Sequence, residues 1–201
     1  MECRGIKVDG SILKKLSLEF EKRLLEIEKH IQDEVGVPFN VGSPKQLGEI
    51  LFETLKVPGG KKGKSGAYST SADVLEALSE QGIVLADKLL EWRQLSKLKS
   101  TYTDALVAQI NPQTGRVHTS YAMAATSTGR LASSDPNLQN IPIRKEEGKK
   151  IRSAFMAGPG RKLLSVDYSQ IELRLLAHMA HLPELTQAFR EGKDIHAETA
   201  S

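Results

Sequence analysis

The sequence predicts an α+β chain, helical in its first half and strand-bearing in its second. Three observations carry this. Apolar residues recur every three or four positions along residues 13–35 and again along 85–102, the period of a helix with one buried face. After Asp104 the pattern changes, with Val117, Thr119 and Tyr121 alternating with His118 and Ser120 as in a half-buried strand. Near the far end, Leu163, Leu164, Ser165 and Val166 read as a short buried strand that stops at Asp167, and Ile171, Leu175 and Met179 come after it at helical intervals of four.

Composition sets the outer bounds. The 201 residues, 39% of them apolar, suffice for a core in one domain or two small ones. No apolar run is long enough to span a bilayer, and the first residues lack the pattern of a signal peptide. The reading is of a soluble globular chain with no membrane partner. Cys3 is the only cysteine, which excludes an internal disulfide or a cysteine-based metal cluster and fits a reducing cytoplasm. A net charge of +3 does not by itself imply nucleic acid; the distribution of the cations matters more.

In chain order, residues 1–12 have room for a short extended piece. Leu16, Phe20, Leu24, Ile27, Ile31 and Val35 then define one long amphipathic helix, stopped by Gly36 and Pro38. Ser43, Pro44 and Gln46 form a helix start, with Ser43 as cap and Gln46 reaching back in a capping box. Between Lys56 and Ser71 the chain is rich in Gly, Ser and Lys without an acidic residue, and a mobile basic loop is expected. Such a loop is either a solvated turn or a binding element; Ser69, Thr70 and Ser71 can cap the next helix or offer hydroxyls. That helix is expected over about 72–80, ending at Gly82.

Leu85, Leu89, Trp92, Leu95, Leu98 and Tyr102 then form a second long helix antiparallel to the first, with Trp92 in core packing and Arg93, Lys97 and Lys99 turned partly away. A domain boundary is expected close to Asp104. Residues 111–115 signal a turn, and His118 in the next strand has no evident role as ligand or base. The stretch 126–144 is long, aperiodic and polar, a combination usually functional or disordered. Residues 145–152 read either as a solvated turn or short helix or as a contact for nucleic acid, and Gly158, Pro159 and Gly160 turn the chain toward Asp167. A carboxylate at a strand end can hold a hard cation such as magnesium, or it can simply cap the helix.

The stretch 163–174, with Asp167, Tyr168, Ser169, Gln170, Ile171 and Glu172, resembles the first of three motifs in the polymerase domain of family A DNA polymerases, the bacterial DNA polymerase I family. The resemblance extends upstream through Thr128, Gly129, Arg130 and Leu131 and through residues 135–144. Downstream it takes in Gly192, Lys193, Asp194, Ile195 and His196. It implies a right-hand polymerase architecture: a helical thumb over 1–104 and, over 105–201, part of a palm with an antiparallel sheet.

The resemblance also implies an activity, template-directed addition of deoxynucleotides to a primer 3′-end in replication and repair, with primer–template DNA and deoxynucleoside triphosphates as partners. It makes Asp167 the catalytic carboxylate and, with the carbonyl of Tyr168, a ligand of Mg2+, two ions being expected in the complete enzyme. By the same resemblance Gln170, Glu172 and His196 face the nucleotide, Glu172 disfavouring a 2′-hydroxyl; a salt bridge with Arg174 is the rival explanation for Glu172.

DNA contacts are implied for Lys61, Lys62, Lys64, Ser69 and Ser71 at the thumb tip, for Arg93, Lys97 and Lys99 on the stem, and for Arg130, Asn137, Gln139, Asn140 and Arg144 beside template and primer. Gly42 stands where the family pattern has an asparagine before Ser-Pro, which removes one amide from the DNA side. The second and third motifs have no counterpart in these residues, so the chain is expected to need the C-terminal part of a polymerase and to be inactive alone. Two other classes remain open: a non-sequence-specific duplex-binding module without catalysis, and a helical scaffold.

Overall fold

The first helix begins where a carboxylate can satisfy its open end. Asp9 sits in extended backbone, and its side chain accepts hydrogen bonds from the amide (2.9 Å) and hydroxyl (2.7 Å) of Ser11. Helix α1 therefore spans Gly10–Val35, starting before the first periodic apolar residue. Gly36, at φ +79°, closes it by donating to the Gln32 carbonyl at 2.8 Å. The computed structural model describes residues 1–63 and 66–193, in two compact units, Met1–Arg161 and Lys162–Ser201. Lys64 and His196 lie outside the described residues.

In the first unit, α1 buries Leu13, Leu16, Phe20, Ile27 and Ile31 against later helices. Helix α2 (Pro44–Glu49) is capped by Ser43, as the sequence predicts, and runs into a π-helical turn at Ile50–Thr54. The capping box itself differs. Gln46 Oε1 accepts from the amide of Asn40 at 2.7 Å, because Ser43 already donates its own amide to the Asn40 carbonyl.

Helix α3 (Ala72–Glu80) ends ahead of Gly82, which has φ +84°. Helix α4 (Val84–Leu98) continues through a π-helical turn, Lys99–Asp104, into α5 (Ala105–Ala108). Its polar contacts with α1 fix its direction: Lys88 meets Glu34 at 2.9 Å, Glu91 meets Arg23 at 2.5 Å, and Asp104 accepts from the Ser17 hydroxyl at 2.5 Å. As one number rises the other falls, so the two stems are antiparallel. Trp92 is half-buried against this core, with its indole nitrogen buried and unpartnered among the described residues.

The chain's first strand is completed by later ones. β1 (Ile6–Val8) is the centre of an antiparallel sheet ordered β2-β1-β5, with β2 at Arg116–Val117 and β5 at Phe155–Met156. The register sets Ile6 opposite Val117 and Val8 opposite Phe155. The single strand expected around 117–121 breaks at 118–119. β3 (Ser120–Ala122) pairs instead with β4 (Ala132–Ser134) in a separate two-stranded ladder.

The break is stabilised by side chains. The Thr119 hydroxyl, buried, meets Ser133 Oγ at 2.7 Å and the Pro136 carbonyl at 2.8 Å. His118 is structural, its ring nitrogens 2.8 Å from Thr114 Oγ1 and from the Glu2 carbonyl. Residues 145–152 do form a helix, α6 (Glu146–Ser153), which packs on α1. At Gly148 an added Cβ would fall 2.4 Å from the Pro142 carbonyl, so only glycine permits that approach.

The second unit contains α7 (Ile171–Met179) and α8 (Pro183–Arg190). The buried strand expected at 163–166 is not formed: the segment carries no ladder, and Leu164 and Val166 are 88% and 80% exposed. A strand needs a neighbour for its amides and carbonyls, and the described elements of this unit are helices only. Ile171, Leu175 and Met179 share a face of α7 as their spacing predicts, yet all three are exposed.

Burial raises the Asp104 carboxyl, but hydrogen bonds from Ser17 and Lys99 and the charge of Lys99 outweigh it and hold the group below the ordinary carboxylate range. A depressed carboxylate stabilises the fold above its unfolded pKa, near 4, and that contribution is lost as pH falls through the lower folded value. Thermal unfolding of wild type and Asp104→Asn from pH 7 to pH 2.5 checks this: the wild-type advantage is expected at neutral pH and should vanish in acid.

Candidate nucleic-acid interface and metal-ligating stretch

Three groups of polar residues in the first unit contain the side chains that the sequence leads one to expect at nucleic acid. At the tip, Ser69 donates its amide to the Lys61 carbonyl at 2.9 Å, Gly63 donates to Ala67 at 2.8 Å, and Lys62 bridges Tyr68. The expected loose loop is thus a narrow hairpin over its described residues. Tyr68 anchors it, its ring 4.9 Å from that of Phe52, and Lys62 Nζ lies 4.5 Å above the same ring and 3.4 Å from Glu53. Gly60 allows the closure, since a Cβ there would sit 2.7 Å from the Phe52 ring. Phe52 and Tyr68 carry no motif or helical period that marks them as anchors. The available signal was an aromatic residue in a run otherwise made of Gly, Ser, Lys and Ala.

Lys61, Lys62, Ser69 and Ser71 are exposed around this hairpin. Ser71 is the N-cap of α3 by backbone position, without a side-chain capping bond, which leaves its hydroxyl on the surface. Arg93 is different. Its guanidinium donates to the Thr70 carbonyl and, at 3.1 Å, to Thr70 Oγ1, and burial lowers its pKa. Half-buried and so engaged, it fastens the hairpin base to α4. Farther along the stem, Lys97 is exposed, and Lys99 is paired with Asp104 at 2.9 Å. Gly42 lies against Trp92: an added Cβ would be 3.1 Å from the ring, so a larger side chain at 42 would press on the indole.

The third group is the segment after β3. Thr126 Oγ1 donates to the Arg130 carbonyl at 2.8 Å, closing a turn at Gly129, which has φ +72°. Gln139 ties the segment to β4 from both ends of its amide, accepting from Ser133 N at 3.0 Å and donating to the Leu131 carbonyl at 2.9 Å. Asn137 Oδ1 accepts from Gln139 N at 3.0 Å. Tyr102 in the π-helical turn donates to the Asn140 carbonyl at 2.6 Å. Gln139 and Asn137 therefore shape the segment, while the side chains of Arg130, Asn140 and Arg144 are on its exposed surface.

In the second unit, Asp167 and Tyr168 are exposed ahead of α7, and Gln170, at φ +52°, occupies its N-cap position. Asp167 is therefore not the cap. Glu172 lies exposed in the first turn of α7. Arg174, the rival partner of Glu172, donates to the Ser169 carbonyl at 2.8 Å and stacks 4.5 Å from the Phe189 ring.

Among the described residues no three His, Cys, Asp or Glu side chains come together as a metal site. Asp167 and the adjacent carbonyl fit magnesium as two of its ligands, because that ion commonly takes one or two carboxylates and fills its other positions with water and phosphate. No described helix is long and apolar enough to cross a membrane.

Residues 10–201 match the family model described as DNA polymerase family A. The whole chain is 58% identical to a segment of DNA polymerase I from Rhizobium leguminosarum and 50% identical to a segment of the thermostable DNA polymerase I from Thermus thermophilus, covering 20% and 24% of those proteins. It thus spans about a fifth to a quarter of the length of these curated relatives. Among solved structures, the POL domain of Pol1 from M. smegmatis, in complex with DNA primer-template and dNTP, is 41% identical with a TM-score of 0.84 over 96% of this chain and 34% of that one.

The dual hold of Gln139 on β4 gives a stability prediction. Gln139→Ala is expected to cost about 1–3 kcal/mol, whereas Asn140→Ala, at an exposed side chain, should stay within about 0.5 kcal/mol of wild type. Urea unfolding followed by the fluorescence of the single tryptophan compares the two, with equal losses contradicting the assigned roles.

Proposed function

The chain belongs to DNA polymerase family A, and on that premise we propose that it is the thumb, residues 1–104, and part of the palm, residues 105–201, of a template-directed DNA polymerase acting in the cytoplasm. Its partners are primer–template DNA and deoxynucleoside triphosphates. The reaction extends the primer 3′-end by one nucleotide and releases pyrophosphate.

The observation that carries this reading is the openness of Asp167, with the carbonyl of Tyr168 beside it and Glu172 in the first turn of the next helix. Asp167 provides an anionic oxygen to Mg2+, and Tyr168 a neutral one. Magnesium, when bound, supplies neutralisation of phosphate charge. Gln170, Glu172 and His196 are assigned to the incoming nucleotide.

The first unit contributes binding. Lys61, Lys62 and Lys64, with Ser69 and Ser71, touch duplex phosphates from the thumb tip, and Lys97 and Lys99 do so from the stem. Arg93 supports the tip through Thr70 as well as adding positive charge. Arg130, Asn137, Gln139, Asn140 and Arg144 belong to the segment beside the primer end, where minor-groove acceptors are placed alike in A·T and T·A pairs. Donors aimed there sense pair shape with little regard to sequence, as a copying enzyme requires.

The isolated polypeptide is proposed to bind DNA without extending it, since Asp167 is joined by no pair of further ligating side chains among the described residues. Fluorescence anisotropy with a labelled primer–template and a parallel extension assay test both halves. Affinity should fall steeply with salt, and Lys61→Ala with Lys62→Ala should reduce the log–log salt slope by about 2. Asp167→Ala should leave affinity unchanged. Salt-insensitive binding would overturn the interface, and extension abolished by Asp167→Ala would overturn the proposed inactivity.

A further inference from the structure

The π-helical turn Lys99–Asp104 joins α4 to α5 and carries three side-chain attachments. Asp104 accepts from Ser17 on α1 and from Lys99, and Thr103 Oγ1 folds back onto the Lys99 carbonyl at 2.8 Å. The third reaches outward. Tyr102, only 5% exposed, packs its ring in the core and donates its hydroxyl to the backbone carbonyl of Asn140 at 2.6 Å. Burial raises the phenol's pKa, which keeps the group a neutral donor across the physiological range.

The acceptor sits beside Gln139, whose amide holds β4, and just ahead of buried Ile141. Two adjacent residues of the segment are therefore fixed, Gln139 to its own ladder and Asn140 to the stem. We propose that Tyr102 is a positioning residue: its hydroxyl locks the 137–144 segment to the stem, so that Lys97 on the stem and Asn140 and Arg144 on the segment meet the duplex as one preorganised surface. The inference rests on the duplex-binding role proposed above.

The physical basis is the cost of ordering on binding. A segment already held in its bound geometry does not lose conformational freedom when DNA arrives, so removing the lock lowers affinity without removing a single phosphate contact. Affinity should then fall while the salt slope, which counts neutralised phosphates, stays the same. A lysine removed from the surface gives the opposite signature, a smaller slope.

The test uses the full chain in three forms: wild type, Tyr102→Phe and Thr103→Val. Tyr102→Phe deletes one oxygen and keeps the ring; Thr103→Val deletes a buried hydroxyl of the same turn that makes no contact with the segment, matching the loss in stability. Primer–template affinity is measured across salt, and backbone amide hydrogen exchange is followed over 131–144 in the free protein.

Tyr102→Phe should weaken binding about fivefold, the factor one neutral hydrogen bond is worth, with an unchanged salt slope and faster exchange confined to the segment. Thr103→Val should keep wild-type affinity and segment exchange. Equal affinities in wild type and Tyr102→Phe, or equal losses in both variants, would overturn the positioning role. Failure of wild type itself to bind would instead overturn the duplex-binding reading, and altered exchange in Tyr102→Phe would then report the lock alone.

Discussion

The seam between α1 and α4 is the constraint on which the first unit depends. Leu13, Phe20 and Ile31 from one helix and Leu85, Leu89 and Leu95 from the other are buried in a common core. Each such side chain is worth about 1.5–3 kcal/mol when removed from water. The exposed ion pairs along the seam, Arg23 with Glu91 and Lys88 with Glu34, add little energy by comparison but set direction and register. On the α4 side of that seam Arg93 holds Thr70 at the base of the hairpin, and the π-helical turn follows from Lys99.

That turn is where helical packing meets the sheet-bearing part of the unit. Asp104 fastens it to α1, and Tyr102 fastens it to the segment after β4. Arg23 continues the connection through Glu147 at 2.8 Å, in α6, whose Gly148 is pressed against Pro142. Exposed cations and amides are thereby presented from elements whose own positions are fixed by buried contacts. The proposed duplex-binding surface depends on such rigidity, because phosphate contacts position a protein only as well as the elements that carry them are held.

Much of this was readable from residues alone, for physical reasons. A 3.6-residue period over two long stretches leaves little choice but two amphipathic helices, and Gly36, Ser43 and Gly82 mark ends through backbone chemistry that depends on near neighbours. What local pattern could not convey was long-range pairing. The sheet joins Ile6 to Val117 and Lys7 to Met156, and the break at Thr119 depends on Ser133 and Pro136 more than a dozen residues away. Residues 163–166 illustrate the reverse: an apolar run read as a buried strand remains unpaired and exposed, because strand formation is a property of neighbours as much as of sequence. Around the candidate site, the motif strings single out Asp167, Gln139 and Arg144 alike, and only the structure distinguishes Gln139, which holds the backbone, from Arg144, which is exposed.

On the proposed assignment, the thumb and partial palm meet DNA at the junction of primer and template, through residues of the first unit. A photo-reactive residue in place of exposed Leu131, next to Arg130, tests this by crosslinking to a primer–template labelled on either strand. Adducts should map to the base pairs adjoining the primer 3′-end and shift when the primer is lengthened. Adducts spread evenly along the duplex, or unmoved by a longer primer, would be incompatible with that placement.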